Sequence, residues 1–129
     1  MYVRYVTNLK DEESHQRLGV IWSARKLEEC IAVEDFHRIE GLFEWFKRNL
    51  RVPSRFTGWK RRQRKKKAIC WFKDSSFCCI AIIRLMAKTL EDNGITTAKI
   101  VTRKPGYILY EDMHQVAAIP FRDTFDKWM

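Results

Sequence analysis

The apolar residues Phe36, Ile39, Phe43, Phe46 and Leu50 recur at i, i+3, i+7, i+10 and i+14, with Leu42 widening the stripe. That is the period of an amphipathic helix with a heavy aromatic face turned to a core. Asp35 is placed to cap its start, Lys47 and Arg48 suit its C-terminal end, and Pro53 marks its stop. An earlier segment, "SARKLEECIAV", predicts a helix capped by Ser23, with Ala24, Leu27, Cys30 and Ile31 on one face. The segment 77–90 is apolar nearly all round, broken mainly by Arg84 and Lys88, and predicts a helix central to the core. Asp74 or Ser75 can cap it, and Asn93-Gly94 supplies the left-handed stop that helices favour.

Elsewhere the period shortens to two. "MYVRYVTN" alternates β-branched and aromatic residues with polar ones and predicts a first strand, followed by a polar loop or short helix over "LKDEESHQRLG". "TTAKIVTRKPG" predicts a strand ending at Pro105-Gly106. "YILYEDMHQVAAIPF" predicts two strands around the turn Glu111-Asp112-Met113-His114. A final "RDTFDKWM" reads as a short helix docking Phe125 and Trp128. The expected architecture is α+β: about three helices packed on one face of a small, mostly antiparallel β-sheet with a C-terminal β-hairpin. A chain of 129 residues with 46% apolar content fits one domain, 1–129, carrying a basic loop at 51–67.

Charge changes this picture in one place. Residues 47–67 hold eleven Lys or Arg and no Asp or Glu, whereas residues 1–46 hold six basic side chains against nine acidic ones. The formal net charge of +9 is therefore a local feature. Dense Lys and Arg neutralise phosphates and release counterions, which gives sequence-independent affinity for DNA or RNA. Phe56 and Trp59 can anchor the loop or stack on unpaired bases. The expected contact residues are Lys47, Arg48, Arg51, Arg55, Trp59, Lys60, Arg61, Arg62, Arg64, Lys65, Lys66 and Lys67. The expected function is that of a small non-enzymatic nucleic-acid-associated protein. One alternative is an interaction or inhibitor module docking an acidic protein; another is a basic ribonuclease using His114, which lies beside Glu111 and Asp112. "KRRQRKKK" also has the composition of a nuclear-import signal, which is meaningful only in a eukaryotic source.

Cys30, Cys70, Cys78 and Cys79 form no C-x-x-C pair, so no metal or cofactor is expected, and buried free thiols are the reading. Asp112, Glu111, Asp123 and Asp126 do not have the spacing of a ligand motif and read as solvating groups. Trp22, Trp45, Trp71 and Trp128 read as core rather than as ligand platforms, with at least one able to be exposed; an exposed aromatic beside the basic loop would favour nucleic acid or a protein groove. No run of about 18 apolar residues is present, and "MYVRYVTNLKDEE" lacks the layout of a secretory signal; no membrane partner and an intracellular, cytoplasmic location are expected. The stretch "WFKD", the helix after it and "KPGYILYEDMHQVAAIPF" resemble small bacterial proteins of uncharacterised function over residues 68–122. That resemblance implies a shared domain and carries no site residues.

Overall fold

A computed structural model describes residues 1–11, 15–51 and 68–121. The chain runs β1 (Tyr2–Lys10), β2 (Arg17–Gly19), α1 (Val20–Lys26), a 3-10 turn (Glu28–Cys30) and α2 (Val33–Asn49). It continues with β3 (Ile69–Lys73), α3 (Phe77–Asp92), β4 (Thr97–Thr102), β5 (Tyr107–Glu111) and β6 (Gln115–Ile119). The fold is α+β: the described residues form three helices and a six-stranded sheet whose last two strands make the expected hairpin.

All five ladders between described strands are antiparallel. β1 organises them. Along one edge it pairs with β4 from Tyr2↔Thr102 to Thr7↔Thr97. Its other edge is shared: Tyr2 and Val3 pair with β3, and Val6 and Lys10 pair with β2. β3 then pairs with β6, and β6 with β5.

The two faces of the sheet bury different clusters, as the two-residue strand period requires. Tyr5 and Phe72 pack against the helical cluster of Val20, Ala24, Ile39, Phe43, Phe46, Cys79, Ile83, Met86 and Leu90. Phe72 stacks on Phe46 with ring centroids 5.7 Å apart. Ile69, Trp71 and Val116 form the second cluster, joined by Tyr2 and Ile100. Trp71 and Val116 are register partners, one position out of phase with Phe72 and Gln115. Arg4 lies over the Trp71 ring at 5.4 Å, and its guanidinium donates to the Arg17 carbonyl at 2.9 Å. Burial lowers the Arg4 pKa to about 10.

Several helix ends differ from the sequence expectation. Ser23 does not cap α1, which starts three residues earlier; it is fully buried, and its hydroxyl shares a 2.6 Å hydrogen bond with Thr7 of β1. Cys30 is exposed in the 3-10 turn because α1 ends at Lys26 and the helical face does not continue to it. Asp35 lies inside the first turn of α2, whose N-cap is Ala32. The orphan Ala32 N–H is satisfied from another helix, by Asn93 Oδ1 at 2.9 Å, while Asn93 Nδ2 donates to Asp35 at 2.9 Å. The N-cap position of α3 is Ser76 rather than Asp74 or Ser75, and no side chain caps it.

The C-terminal end of α3 follows expectation in full. Gly94 has φ +81°, its N–H reaches Glu91 O at 2.9 Å, and the Ile95 N–H reaches Leu90 O at 3.0 Å. Those two bonds are the Schellman pattern, and Ile95 packs on the core as that motif favours. The expected loop from residue 52 onward, the stop at Pro53, the Phe56 and Trp59 anchors and the final helix lie outside the described residues. No helix among the described residues is long and apolar enough to cross a membrane.

Candidate functional site

Two features of the surface carry chemistry, and the sheet register accounts for the first. Pairing of Phe72 with Gln115 brings the end of β3 against the β5–β6 turn, and the Lys73 N–H donates to His114 O at 2.8 Å. The chain then turns through Asp74-Ser75 and enters α3 at Ser76. The start of α3 therefore sits beside the hairpin turn. Ser76 occupies the N-cap position, yet its side chain makes no capping bond, since its hydroxyl faces His114. Ser76 Oγ and His114 Nδ1 are 2.8 Å apart, and Ser76 Oγ lies 4.0 Å from Cys78 Sγ. The ligating atoms of Cys78, Cys79 and His114 all lie within 4.8 Å of one another.

The hairpin turn is held by Asp112. Its Oδ1 accepts the His114 N–H at 2.8 Å and the Gln115 N–H at 3.0 Å, and its Oδ2 accepts the Tyr110 hydroxyl at 2.8 Å. Burial pushes the Asp112 carboxyl up, but the hydrogen bonds from His114, Tyr110 and Gln115 together outweigh it and hold the pKa below its ordinary value. The same bond, with Asp112 as acceptor, raises the Tyr110 phenol. Asp112 thus fixes the backbone that carries His114 and does not engage the imidazole. A depressed folded pKa contributes stability that is present above the unfolded value near 3.9 and lost as pH falls through the folded value. Asp112→Ala should cost about 1 kcal/mol at neutral pH, after allowance for solvent screening. In urea melts, the gap to the parent protein should narrow below about pH 4; a gap that stays constant down to about pH 3 contradicts this role.

The thiols differ from expectation. Cys79 is buried, but Cys30, Cys70 and Cys78 are exposed. Cys78 precedes the first core position of α3 and so escapes the face on which Cys79, Ile83, Met86 and Leu90 are buried. Burial pushes the Cys79 thiol up, against a hydrogen bond from Ser76 that lowers it. A raised thiol is not an activated nucleophile, since the thiolate is the reactive form.

The second feature is a groove of about 430 Å³ between β1, β3, α1 and α2. Trp22, Arg25, Phe43, Phe46, Lys47 and Arg51 are among the residues that line it. Trp22 is 62% exposed, and the Arg25 guanidinium lies 6.0 Å from its ring and 4.3 Å from that of Phe43. The expected contact residues Lys47, Arg48 and Arg51 are exposed at and just beyond the end of α2. Lys47 pairs with Glu44 at 3.5 Å, and the Arg51 carbonyl is held by Gln115 Nε2. Gln115 thereby ties the start of the basic segment to the hairpin beside His114. Arg55, Trp59, Lys60, Arg61, Arg62, Arg64, Lys65, Lys66 and Lys67 lie outside the described residues.

Trp22, expected in the core, is instead exposed on the surface, and sequence reasoning connected neither it nor Arg25 with a basic segment that begins 22 residues after Arg25. It also missed the meeting of Cys78 and Cys79 with His114, for which no local spacing exists. The chain matches no family model, and no curated protein and no solved structure shows significant similarity to it.

Proposed function

We propose that the chain binds the phosphates of DNA or RNA through residues 47–67, with the neighbouring groove supplying a stacking surface for unpaired bases. The observation that carries this reading is the position of Trp22, an exposed aromatic in a groove that Arg25, Lys47 and Arg51 also line. Cations that track a backbone beside an aromatic ring are the combination that single-stranded nucleic acids use, because every base has a face to stack. The eleven cations of residues 47–67 supply the electrostatic part and are not balanced by acids in that segment. Sequence preference is not part of the proposal, since such contacts are read by shape and charge.

Trp22→Ala separates the two parts. Its binding to a generic single-stranded oligonucleotide should weaken by about 5- to 150-fold, the range that one stacked base contributes, while the salt slope stays the same. Fluorescence anisotropy with labelled single-stranded DNA and RNA measures both quantities, and heparin should displace either strand. Binding to an acidic protein that persists in heparin, with no oligonucleotide binding, would replace this reading with that of a dedicated protein-interaction module.

A further inference from the structure

We propose that Cys78, Cys79 and His114 form a binding site for Zn²⁺ at the junction of α3 and the β5–β6 turn, independently of the nucleic-acid reading. Two thiolates and an imidazole are donors for a thiophilic or borderline ion and exclude Mg²⁺ and Ca²⁺, which take oxygen ligands. The three donors already lie within 4.8 Å of one another. Zn–S bonds of about 2.3 Å and Zn–N bonds of about 2.0–2.1 Å in a tetrahedron put such atoms roughly 3.5–3.8 Å apart. Closure therefore asks for about 1 Å of movement.

The movement falls on the residue free to make it. Cys79 is 1% exposed and fixed by the core around it. His114 is fixed through its backbone, by Asp112 Oδ1 on its N–H and by the Lys73 N–H on its carbonyl. Cys78 is exposed, so a change of its side-chain rotamer brings the third donor in at little cost. Ser76 Oγ, next to both His114 Nδ1 and Cys78 Sγ, has a place in either binding mode. With the ion on Nε2, it remains an outer partner that sets the tautomer. With the ion on Nδ1, it is released and becomes available to the fourth position. Three protein ligands with an open fourth position is the arrangement of zinc sites that bind a water or a further ligand.

The charges balance. Binding exchanges two thiol protons, released to solvent, for one dication, so the cluster of two thiolates, a neutral imidazole and Zn²⁺ is neutral overall. The thiolates lie in the first turn of a 16-residue helix, where the dipole favours negative charge. The raised pKa of Cys79 belongs to the metal-free protein, and coordination deprotonates a thiol outright.

The test is a titration of the reduced full chain with Zn²⁺ against a chromophoric chelator, with Co²⁺ as a spectroscopic probe. One ion per chain, thiolate-to-cobalt charge-transfer absorption and release of about two protons per ion are expected. Cys78→Ser, at an exposed position that leaves the core untouched, should weaken binding by at least about 100-fold, as should His114→Gln. The double variant Cys30→Ser/Cys70→Ser should bind as the parent does. Binding that survives in Cys78→Ser and His114→Gln, or that is lost in the Cys30/Cys70 variant, overturns the assignment. So does the absence of any stoichiometric Zn²⁺ binding.

Discussion

Gly106→Ala should destabilise the protein by about 4 kcal/mol or more, enough to prevent folding in a domain of ordinary stability. Two causes act together. Gly106 has φ +130°, a backbone conformation that L side chains rarely adopt, and such strain costs about 1–3 kcal/mol by itself. A Cβ at this position would also stand 2.0 Å from the carbonyl oxygen of Ile119 and 2.9 Å from Pro120 Cα. Those are backbone atoms at the open end of the hairpin, where Tyr107 pairs with Ile119, and they cannot rotate away. Relief would have to come from parting β5 and β6, which also disturbs the β3–β6 ladder behind them. Gly94→Ala is the control: its φ is +81°, but nothing lies within 4 Å of an added Cβ, so only the strain remains. Chemical denaturation of both variants measures the difference. A Gly106→Ala protein as stable as Gly94→Ala would show that the hairpin end is not closed in this way.

Pro105-Gly106 was legible in the sequence as the end of a strand, and the turn around Asp112 as a hairpin, since both carry the residue types their geometry demands. α3 was legible for the same reason: a continuous apolar segment of helical length ended at Asn93-Gly94. The first strand showed its alternation. What local pattern could not supply was the partner of each polar group. Ser23 looks like a cap until Thr7 of a neighbouring strand takes its hydroxyl. Ala32 looks like a poor cap until Asn93, 61 residues on, accepts its N–H. The corner of Cys78, Cys79 and His114 was illegible on the same ground: Cys79 and His114 meet because β3 pairs with β6, and no motif spacing records a sheet register. The groove depends likewise on the packing of α1 and α2 over β1 and β3. The charge segregation, by contrast, is a property of composition alone and was visible at once.

Replacing Lys60, Arg61, Arg62, Arg64, Lys65, Lys66 and Lys67 by Gln should weaken polynucleotide binding by at least about 1,000-fold at moderate salt. Each phosphate contact releases counterions to a concentration far below that near the nucleic acid, so the loss multiplies over every contact removed. Gln is polar, uncharged and itself a good helix former, so the change is chiefly one of charge. Four of the eleven cations remain, namely Lys47, Arg48, Arg51 and Arg55, and they should sustain weak, salt-sensitive binding. No residue of the described core is changed, and the denaturation midpoint should stay close to that of the parent. A variant that binds as tightly as the parent would place the contact elsewhere, and one that unfolds would show that the segment's charge is needed for the fold.

The most direct measurement of the central claim is the dependence of oligonucleotide affinity on salt in the parent protein. If about six of the cations in residues 47–67 contact phosphate, log K should fall linearly with log salt. The slope should be near −4 on single strands and near −5 on duplex, a loss of about 1,000-fold on duplex between roughly 50 and 200 mM. In the seven-residue variant the slope should shrink to that of at most four remaining contacts, no steeper than about −3 on single strands. A flat salt dependence in the parent, or a slope that the variant leaves unchanged, would contradict the assignment of this segment as a phosphate-binding element.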